Sequence, residues 1–292
     1  MLELCLYRIQ VYRNQEWLFG NAEMTPQQVL ERVIKARPSI AYSRGATWHI
    51  GNVQAIKGGG IYFRVGRTTK STLQMYQGQD FVETQFDTAP YTHVLLDLET
   101  EVCAVAKKAQ LATSCTTIAN KIGSLMEQVI VDHNIAIRSA PGPADPGQEM
   151  NFDIKVEPIR DPEHFVSFLK NAKAVTSFWY SLNRPNAFEA HEDFVKPFSK
   201  IIQESSGHEG KIVINGDGLN AATLEEIANS AAGTGAKAGA KMTFDDGQAV
   251  TKHLEGNPLT ISCEDLEADD EKRDALTRVR ALFQRIIVGI RG

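Results

Sequence analysis

The stretch of sequence that decides the fold runs from Thr47 to Arg67 and reads TWHIGNVQAIKGGGIYFRVGR. Apolar and polar residues alternate on both sides of Gly58-Gly59-Gly60, which is the pattern of two half-buried strands joined by a tight turn. The segment therefore predicts a β-hairpin. Its glycines lack the spacing of a phosphate-binding loop and do not open a helix, so a turn is the better interpretation.

Further elements are predicted on both sides of this hairpin. A second hairpin has the strands Tyr91–Asp97 and Val102–Ala106, and apolar residues at helical spacing then predict a helix from Thr113 to Val131. Nearer the N-terminus, Thr25 can cap a helix whose first residue is Pro26, because the fixed backbone angle of proline suits that position. The opening segment LELCLYRIQVY alternates well enough to predict a strand.

The second half of the chain predicts two strand–helix–strand passages, a further helix and a long last helix. The first passage comprises Phe152–Pro158, a helix from Asp161 to about Ala174, and Thr176–Leu182. The second comprises Lys211–Asn215, a helix capped near Thr223, and Ala236–Phe244; the further helix is Phe194–Glu204 and the last helix is Glu267–Ile290. We therefore expect an α+β protein with hairpin-rich antiparallel sheets, ferredoxin-like β-α-β pieces and a long C-terminal helix.

The length and composition allow one large domain or two ordinary ones. The chain has 292 residues, 42% of them hydrophobic and 23% charged, which is enough apolar material for a sizeable core. The Pro/Gly-dense stretch Ala140–Gln148 predicts a linker at 140–149, between an N-terminal α+β domain (1–139) and a C-terminal α+β domain (150–292). A long surface loop inside one domain would have the same composition, and that alternative stays open.

Composition also bears on location and on cofactors. No apolar run approaches the ~18 residues of a membrane helix, and the start of the chain lacks the basic and apolar regions of a signal peptide. The four cysteines show no CxxC spacing, so we expect reduced thiols in a cytoplasmic protein that does not span a membrane. The seven histidines are equally scattered, and neither a metal nor a cofactor is expected.

Charge is distributed unevenly along the chain. The formal net charge is −5, which by itself argues against a protein coated in nucleic acid. From Arg32 to Gln79, however, there are eight basic residues and no acidic one, whereas Glu264–Asp274 carries seven acids. A charge asymmetry of this size bears on the kind of partner that the chain can bind.

The basic segment predicts a nucleic-acid-binding surface. Phosphate contacts require only positive charge and hydrogen-bond donors within reach, and Trp48 and Tyr42 add aromatic surface on which a base can stack. Strand alternation places Arg64 and Arg67 on opposite faces. The residues predicted to contact phosphate are Arg44, Lys57, Arg64, Arg67 and Lys70.

Other interpretations of these charges stay open. The basic segment can offset the acidic remainder by docking Glu264–Asp274, or it can bind a small phosphorylated ligand. The acidic segment suits the start of a helix, where the helix dipole favours negative charge. Alternatively, it imitates nucleic acid and gates the basic hairpin.

The search for catalytic residues returns little. No serine or cysteine has the local signature of a nucleophile, and no HExxH or HxH pair is present. Asp97 with Glu99 or Asp153 could form a metal-dependent nuclease core in the fold, although Glu101-Val102-Cys103 lacks the acid-x-lysine pattern of such a core. We therefore expect a non-enzymatic protein, with a nuclease or nucleotide-processing enzyme as the alternative.

The last helix offers a surface for self-association. Its apolar residues fall at helical spacing with arginines among them, so an interaction subunit that binds a copy of itself is the third function considered. The residues predicted to form this interface are Leu276, Leu282, Phe283 and Ile286.

Five short segments, taken in order, carry a resemblance to a known family. They are His49-Ile50-Gly51-Asn52, Ile61-Tyr62-Phe63-Arg64, Thr92-His93-Val94-Leu95-Leu96-Asp97, Ile154-Lys155-Val156-Glu157-Pro158-Ile159 and Gly256-Asn257-Pro258-Leu259. With the elements between them, they resemble the RexA-type superinfection-exclusion proteins of temperate phages over roughly residues 45–290.

This resemblance implies a cytoplasmic, non-enzymatic protein that binds DNA without sequence preference and associates as a homodimer. It further implies a sensor of phage infection that acts through a small membrane-channel partner to stop growth of the infected cell. The chain departs from the family in its isoelectric point of about 5.8, since a DNA-binding member should be more basic. Any DNA contact must come from the local basic cluster, and affinity should fall steeply with salt.

Overall fold

The computed structural model describes residues 1–13, 24–42, 45–140, 149–183, 201–202, 205 and 209–288. These residues form an α+β fold with five helices and thirteen strands, and all of the strand pairs are antiparallel. The helices are α1 (Pro26–Lys35), α2 (Cys115–Ser139), α3 (Glu163–Asn171), α4 (Ala221–Thr234) and α5 (Asp269–Val288). The strands are β1 (Leu2–Arg13), β2 (Ser39–Ala41), β3 (Thr47–Ile56), β4 (Gly60–Gln77), β5 (Asp80–Thr88), β6 (Tyr91–Asp97), β7 (Val102–Ala106), β8 (Phe152–Pro158), β9 (Ala174–Asn183), β10 (Glu209–Asn215), β11 (Ala238–Thr243), β12 (Ala249–His253) and β13 (Thr260–Cys263).

A large antiparallel sheet contains nine of these strands. Its order is β13-β1-β7-β6-β4-β3-β2, with β5 paired to β4 and β8 paired to β1. The first predicted hairpin is β3 and β4, which pair from Thr47 with Thr68 to Ile56 with Gly60. The second is β6 and β7. Both hairpin predictions are confirmed.

β1 is the strand around which the large sheet is arranged. On one side it pairs with β7, and on the other it pairs first with β13 and then with β8. Its side chains alternate between the two faces, so that Leu4 and Leu6 enter one core while Tyr7 and Ile9 enter another. A strand buried on both faces needs apolar residues at nearly every position, which explains the composition of this segment.

Helices cover both faces of the large sheet. On the first face, α1 and α2 pack against Phe63, Val65 and Val94. On the second face, Val279 and Phe283 of α5 are buried in a cluster that includes side chains of β1, β4 and β6. The sheet is therefore the middle layer of three.

α5 lies close to the sheet at Gly60, the first residue of β4. A Cβ atom on this glycine would lie 2.5 Å from Leu276 Cδ2. Any other residue would therefore force the buried Leu276 side chain to shift. The glycine-rich turn serves the packing of the last helix as well as the hairpin.

A second sheet of four strands has the order β10-β9-β11-β12. β10 and β11 lie on either side of β9 and are joined through α4, so that β10–α4–β11 is a split β-α-β unit. Phe165 of α3 and Leu224 and Ile227 of α4 cover this sheet. Ile286 of α5 contacts this core as well as the core of the large sheet.

The two sheets do not divide at the predicted linker, 140–149. β8 follows this stretch but pairs with β1, and β13 and α5 also return to the large sheet. β8 and β13 are thus strands of the large sheet and α5 packs on it, although all three belong to segment 150–292. Residues 141–148 lie outside the described residues, as does the predicted helix Phe194–Glu204 apart from Ile201 and Ile202.

The local sequence predicts where some helices and strands begin and end, but not others. Thr25 caps α1 and Pro26 is its first residue, as predicted. α2 continues to Ser139, past the predicted end at Val131. The strand pairing over Thr69–Thr88 was not predicted, because threonine and glutamine dilute the apolar alternation there.

Two of the four side chains predicted to bind a second copy lie in the protein's own core. Leu276 and Phe283 are buried against the large sheet, and Leu282 and Ile286 pack against the same cluster. Leu276 and Phe283 are therefore not available to a partner, and the prediction of an oligomer interface is corrected at these two residues, whereas it stays a prediction for the half-buried Leu282 and Ile286. Helical spacing of apolar residues indicates a buried face but does not tell which surface covers it.

The four cysteines are free thiols, and all of them are buried. Of the helices described, none has the length and apolar character needed to cross a membrane.

A buried ion pair connects β1, the turn between β6 and β7, and α5. Arg8 Nη2 lies 3.3 Å from Glu101 Oε2, and both side chains are almost completely inaccessible to solvent. The Arg8 guanidinium also lies 5.3 Å from the centre of the Phe283 ring. Removal of one partner from a buried pair leaves a buried charge, which is much more costly than the loss of an exposed pair.

We expect Glu101→Ala to lower the free energy of unfolding by about 3–5 kcal/mol, because the Arg8 charge would stay buried without its carboxylate. The control is Glu99→Ala, since the Glu99 carboxylate is 72% exposed and lies 3.6 Å from Arg280. Loss of such an exposed pair should cost less than ~1 kcal/mol. Urea unfolding followed by circular dichroism measures both values, and equal losses would contradict the prediction.

Candidate functional site

The five residues predicted to contact phosphate do not form one surface. Arg44 lies outside the described residues. Lys57 lies in the turn before β4 and Lys70 lies in the distal half of that strand, so roughly 30 Å of extended chain separates them. Arg64 and Arg67 lie between these two ends, on opposite faces of the sheet.

Arg64 is engaged with the start of the α5 segment. Its Nη2 donates to both carboxylate oxygens of Glu267 at 2.7 Å, and its Nε donates to the Tyr62 hydroxyl at 2.9 Å. The guanidinium also lies 4.4 Å from the centre of the Tyr91 ring. The alternative in which the basic segment docks the acidic segment is thus confirmed at this residue.

His93 lies beside this ion pair. Its Nε2 is 4.0 Å from Glu267 Oε1, and its Nδ1 is 2.9 Å from the Tyr62 hydroxyl. Burial lowers the pKa of His93, so the imidazole is neutral near pH 7. Glu267 therefore neutralises Arg64 rather than His93.

Lys57 and Lys70 are both exposed. Lys57 precedes Gly58, whose carbonyl oxygen accepts a hydrogen bond from Arg280 Nη2 at 2.7 Å. Lys70 lies directly opposite Asp87 in the pairing of β4 with β5. The two lysines therefore lie in different parts of the protein and do not form one basic surface.

Arg67 lies in a groove at the edge of the core between the large sheet and α2. The groove has a volume of about 520 Å³. Three segments that are distant in sequence form its walls: the chain before and within β3, the loop before α2, and the first two turns of α2. The side chains that matter for its chemistry are Tyr42, Trp48, Arg67, Leu111, Thr117 and Lys121.

Two cations lie in this groove. The Nε atom of Arg67 is buried and has no hydrogen-bond partner among the described residues. Lys121 Nζ lies 3.5 Å from the centre of the Tyr42 ring. Within the described part of the chain, neither cation is paired with a carboxylate, so their charge is available to an anionic ligand.

The aromatic floor of the groove is fixed by the first hairpin. Trp48 is directly opposite Arg67 in the pairing of β3 with β4, so the indole and the guanidinium are neighbours on the same face. Trp48 is 5% exposed, whereas Tyr42 is half-buried at the rim. A planar group that enters the groove meets aromatic surface and positive charge together.

The N-terminus of α2 opens into the same groove. Ser114 caps the helix by accepting a hydrogen bond from the Thr117 backbone N–H at 3.1 Å. Thr113 and Thr117 supply hydroxyl-bearing side chains to the lining. The first turn of a helix carries partial positive charge, so it adds to the attraction that Arg67 and Lys121 exert on an anion.

The acids of the alternative nuclease core are only partly brought together, since Asp97 and Glu99 both contact Arg280 whereas Asp153 lies apart from them. Asp97 is buried and accepts hydrogen bonds from Arg280 Nε at 2.8 Å and from the Thr100 hydroxyl at 2.6 Å. Glu99 is exposed, and Asp153 lies on β8, with β7 and β1 between that strand and β6. A search of the described residues finds no group of three or more His, Cys, Asp or Glu side chains that could hold a metal ion.

Sequence reasoning named Tyr42, Trp48 and Arg67 but missed Lys121 and Thr117. The apolar spacing of α2 identifies its buried face and says nothing about the polar side chains at its ends. Only the packing of α2 against the first hairpin brings these residues together. The one local signal was the Ser114 cap, which marks where the positive end of the helix lies.

No protein-family model matches the chain, and no curated protein matches it either. The groove and the charges around it are therefore the features that bear on its function.

Proposed function

We propose that the protein binds single-stranded nucleic acid without sequence preference, performs no chemistry on it, and serves as an infection sensor in antiphage defence. The observation that carries the proposal is the groove, where Trp48 and Tyr42 lie beside Arg67 and Lys121. Stacking on aromatic rings and attraction to phosphate are the interactions by which proteins bind single strands without reading their sequence.

The depth of the groove favours an unpaired base over a duplex. Trp48 is 5% exposed and belongs to the core of the first face, so its indole offers little surface and only an unpaired base can reach it. The volume of about 520 Å³ lies within the range of small-molecule sites and accommodates a base together with its phosphate. A duplex can contact only the rim, and we expect it to bind more weakly than the matching single strand.

The acidic average of the chain does not oppose this binding. The acidic start of α5 lies on the other face of the large sheet, where Arg64 neutralises Glu267. Exposed charges separated by more than about 8 Å are largely screened at physiological ionic strength. A strand in the groove therefore responds to Arg67 and Lys121 rather than to the net charge of −5.

Arg67→Gln and Lys121→Gln should each weaken the binding of a fluorescent oligothymidine, because each removes a charge that neutralises a phosphate. The affinity at low salt should fall roughly tenfold for each substitution. Each should also reduce the slope of log affinity against log salt concentration by about 0.7. Fluorescence anisotropy over a series of salt concentrations measures both quantities.

The matched controls for this experiment are Lys57→Gln and Lys70→Gln, which remove the same charge from exposed positions outside the groove. They should bind like the wild type, and equal weakening by all four substitutions would instead favour the broad basic surface predicted from the sequence. A mononucleotide that competes as strongly as the oligonucleotide would make a small phosphorylated ligand the better assignment. If a duplex bound more tightly than the matching single strand, the proposal that an unpaired base enters the groove would be wrong.

Glu267→Gln tests whether the acidic segment gates binding. The substitution releases Arg64 and leaves the groove unchanged, so the affinity for a single strand should change by less than about twofold. The free energy of unfolding should fall by no more than ~1 kcal/mol, because the Glu267 side chain is 55% exposed. An increase in affinity of about tenfold would instead show that Glu267 covers part of the binding surface.

The defence role is supported by the resemblance to RexA-type proteins, which also suggests a homodimer and a membrane-channel or other effector partner. Expression of the chain in a phage-sensitive host, together with the genomic segment around its gene, should lower the plating efficiency of phages from a panel. Arg67→Gln should restore plating, since it removes the nucleic-acid contact, whereas Lys70→Gln should not. If the Arg67→Gln variant protected the host fully at an equal protein level, defence would not depend on the groove.

A further inference from the structure

The distal half of β4 and all of β5 form an arm, residues Thr69–Thr88, that projects from the large sheet. β3 pairs with β4 only as far as Thr68, and β6 begins at Tyr91. Among the described strands, the two sides of the arm therefore pair only with each other, from Thr69 with Thr88 to Gln77 with Asp80. Both long edges of the arm consequently present backbone groups that no described strand pairs with.

Both faces of the arm carry apolar side chains that are only partly covered, with Tyr76 and Phe81 on one face and a larger group on the other. Leu73, Met75, Val82 and Phe86 lie on one face, and Leu73 is 47% exposed and Phe86 43% exposed. A two-stranded ribbon is at best marginally stable in water, whereas three or more strands with a hydrophobic face are stable. A further strand beside the arm would therefore stabilise it.

The charges on the arm limit which partner can supply the additional strand. The arm carries one lysine, Lys70, and three acids, Asp80, Glu83 and Asp87. Nucleic acid and anionic membrane surfaces are thus unfavourable partners. All three acids are on β5, and because like charges directly opposite each other destabilise a sheet, they also select the strand that can lie beside β5.

The outer edge of β5 presents the backbone groups of every second residue. The Arg67 N–H donates to the Pro90 carbonyl oxygen at 3.1 Å, and the same register continues from β6 into β5. In an antiparallel ladder, hydrogen-bonded pairs alternate with pairs whose backbone groups point outward. The β5 residues whose N–H and C=O groups therefore point away from β4 are Phe81, Glu83, Gln85 and Asp87.

We propose that β5 pairs with β5 of a second copy of this chain, about a two-fold axis that passes through Thr84. In this antiparallel register the outward-facing residues meet in pairs, Phe81 of one copy with Asp87 of the other and Glu83 with Gln85. No two acids lie opposite each other, and the outward backbone groups find partners. The interface is isologous, because the same strand of each copy serves both sides of it.

The same register also extends the larger of the two groups of apolar side chains. Val82 of each copy lies opposite Phe86 of the other, on the face that already carries Leu73 and Met75. The product is a four-stranded antiparallel sheet that carries these apolar side chains together on one face, and it exceeds the two strands that are only marginally stable in water. Cross-strand pairs of an aromatic and a β-branched side chain are favourable in such sheets.

Neighbouring registers are disfavoured by charge. Moving the axis to Glu83 places two glutamates directly opposite each other. Moving it to Gln85 places Glu83 opposite Asp87. Larger shifts shorten the pairing, so charge complementarity selects the register in which the whole of β5 is paired.

Sedimentation equilibrium of the full chain and of two variants tests the interface. Gln85→Glu places a second acid opposite Glu83 at two symmetric positions and should weaken dimerisation roughly tenfold. Gln85→Lys places opposite charges there and should tighten it by a similar factor, with both effects reduced at high salt. The Gln85 side chain is exposed and faces Thr72 across the arm, so neither variant should disrupt the arm itself.

The control variant is Thr72→Glu, which adds the same charge to the same face of the arm but on the outer edge of β4. Its dimerisation constant should equal that of the wild type. A wild-type chain that is monomeric at every concentration would overturn the proposal, as would Thr72→Glu weakening dimerisation as much as Gln85→Glu. Binding of oligothymidine by the Gln85 variants should not change, which separates this interface from the groove.

Discussion

A buried charge that must remain paired organises this protein. Arg8 lies in the middle of β1, among apolar side chains, and its guanidinium has the Glu101 carboxylate and the Phe283 ring as neighbours. An unpaired charge in such surroundings costs several kcal/mol, of order 3–5, so β1, the turn between β6 and β7, and α5 must meet in one arrangement. Arg280 fixes α5 a second time by donating to the buried carboxylate of Asp97. The first strand and the last helix are thereby held on the same sheet.

This arrangement determines which face of the large sheet is covered by the chain itself and which is open to a ligand. α5 covers the second face, and Glu267, two residues before its first residue, neutralises Arg64 there. On the first face, α2 begins beside Arg67 rather than over it, which leaves the groove between Trp48 and Lys121. Two arginines that are close in sequence therefore have different roles, since Arg64 anchors a segment of the chain and Arg67 is available to a ligand.

Local patterns predicted the elements of this fold well and its surfaces poorly. The cap at Thr25 and the turn before Gly60 depend on a few neighbouring residues, so the sequence alone is sufficient to find them. The burial of Phe283 and the contact of Lys121 with Tyr42 depend on segments that are far apart in the chain. The apolar spacing of a helix predicts that a face is buried, but the partner of that face is decided by tertiary packing. For the same reason two buried residues of α5 were predicted to form an oligomer interface, and half of the groove was missed.

A cluster of basic residues in sequence becomes a basic surface only where the secondary structure keeps it on one side. Residues three or four apart share a face of a helix, whereas successive residues of a strand point to opposite faces. Arg64 and Arg67 therefore cannot contact one phosphate backbone from the same face, and the acid-free segment alone builds no phosphate site. The positive potential beside Arg67 is restored by Lys121 and by the first turn of α2, which come from another part of the chain. Because apolar side chains line this groove, charges within it are less screened than exposed charges, and a few of them attract phosphate more strongly than the net charge would suggest.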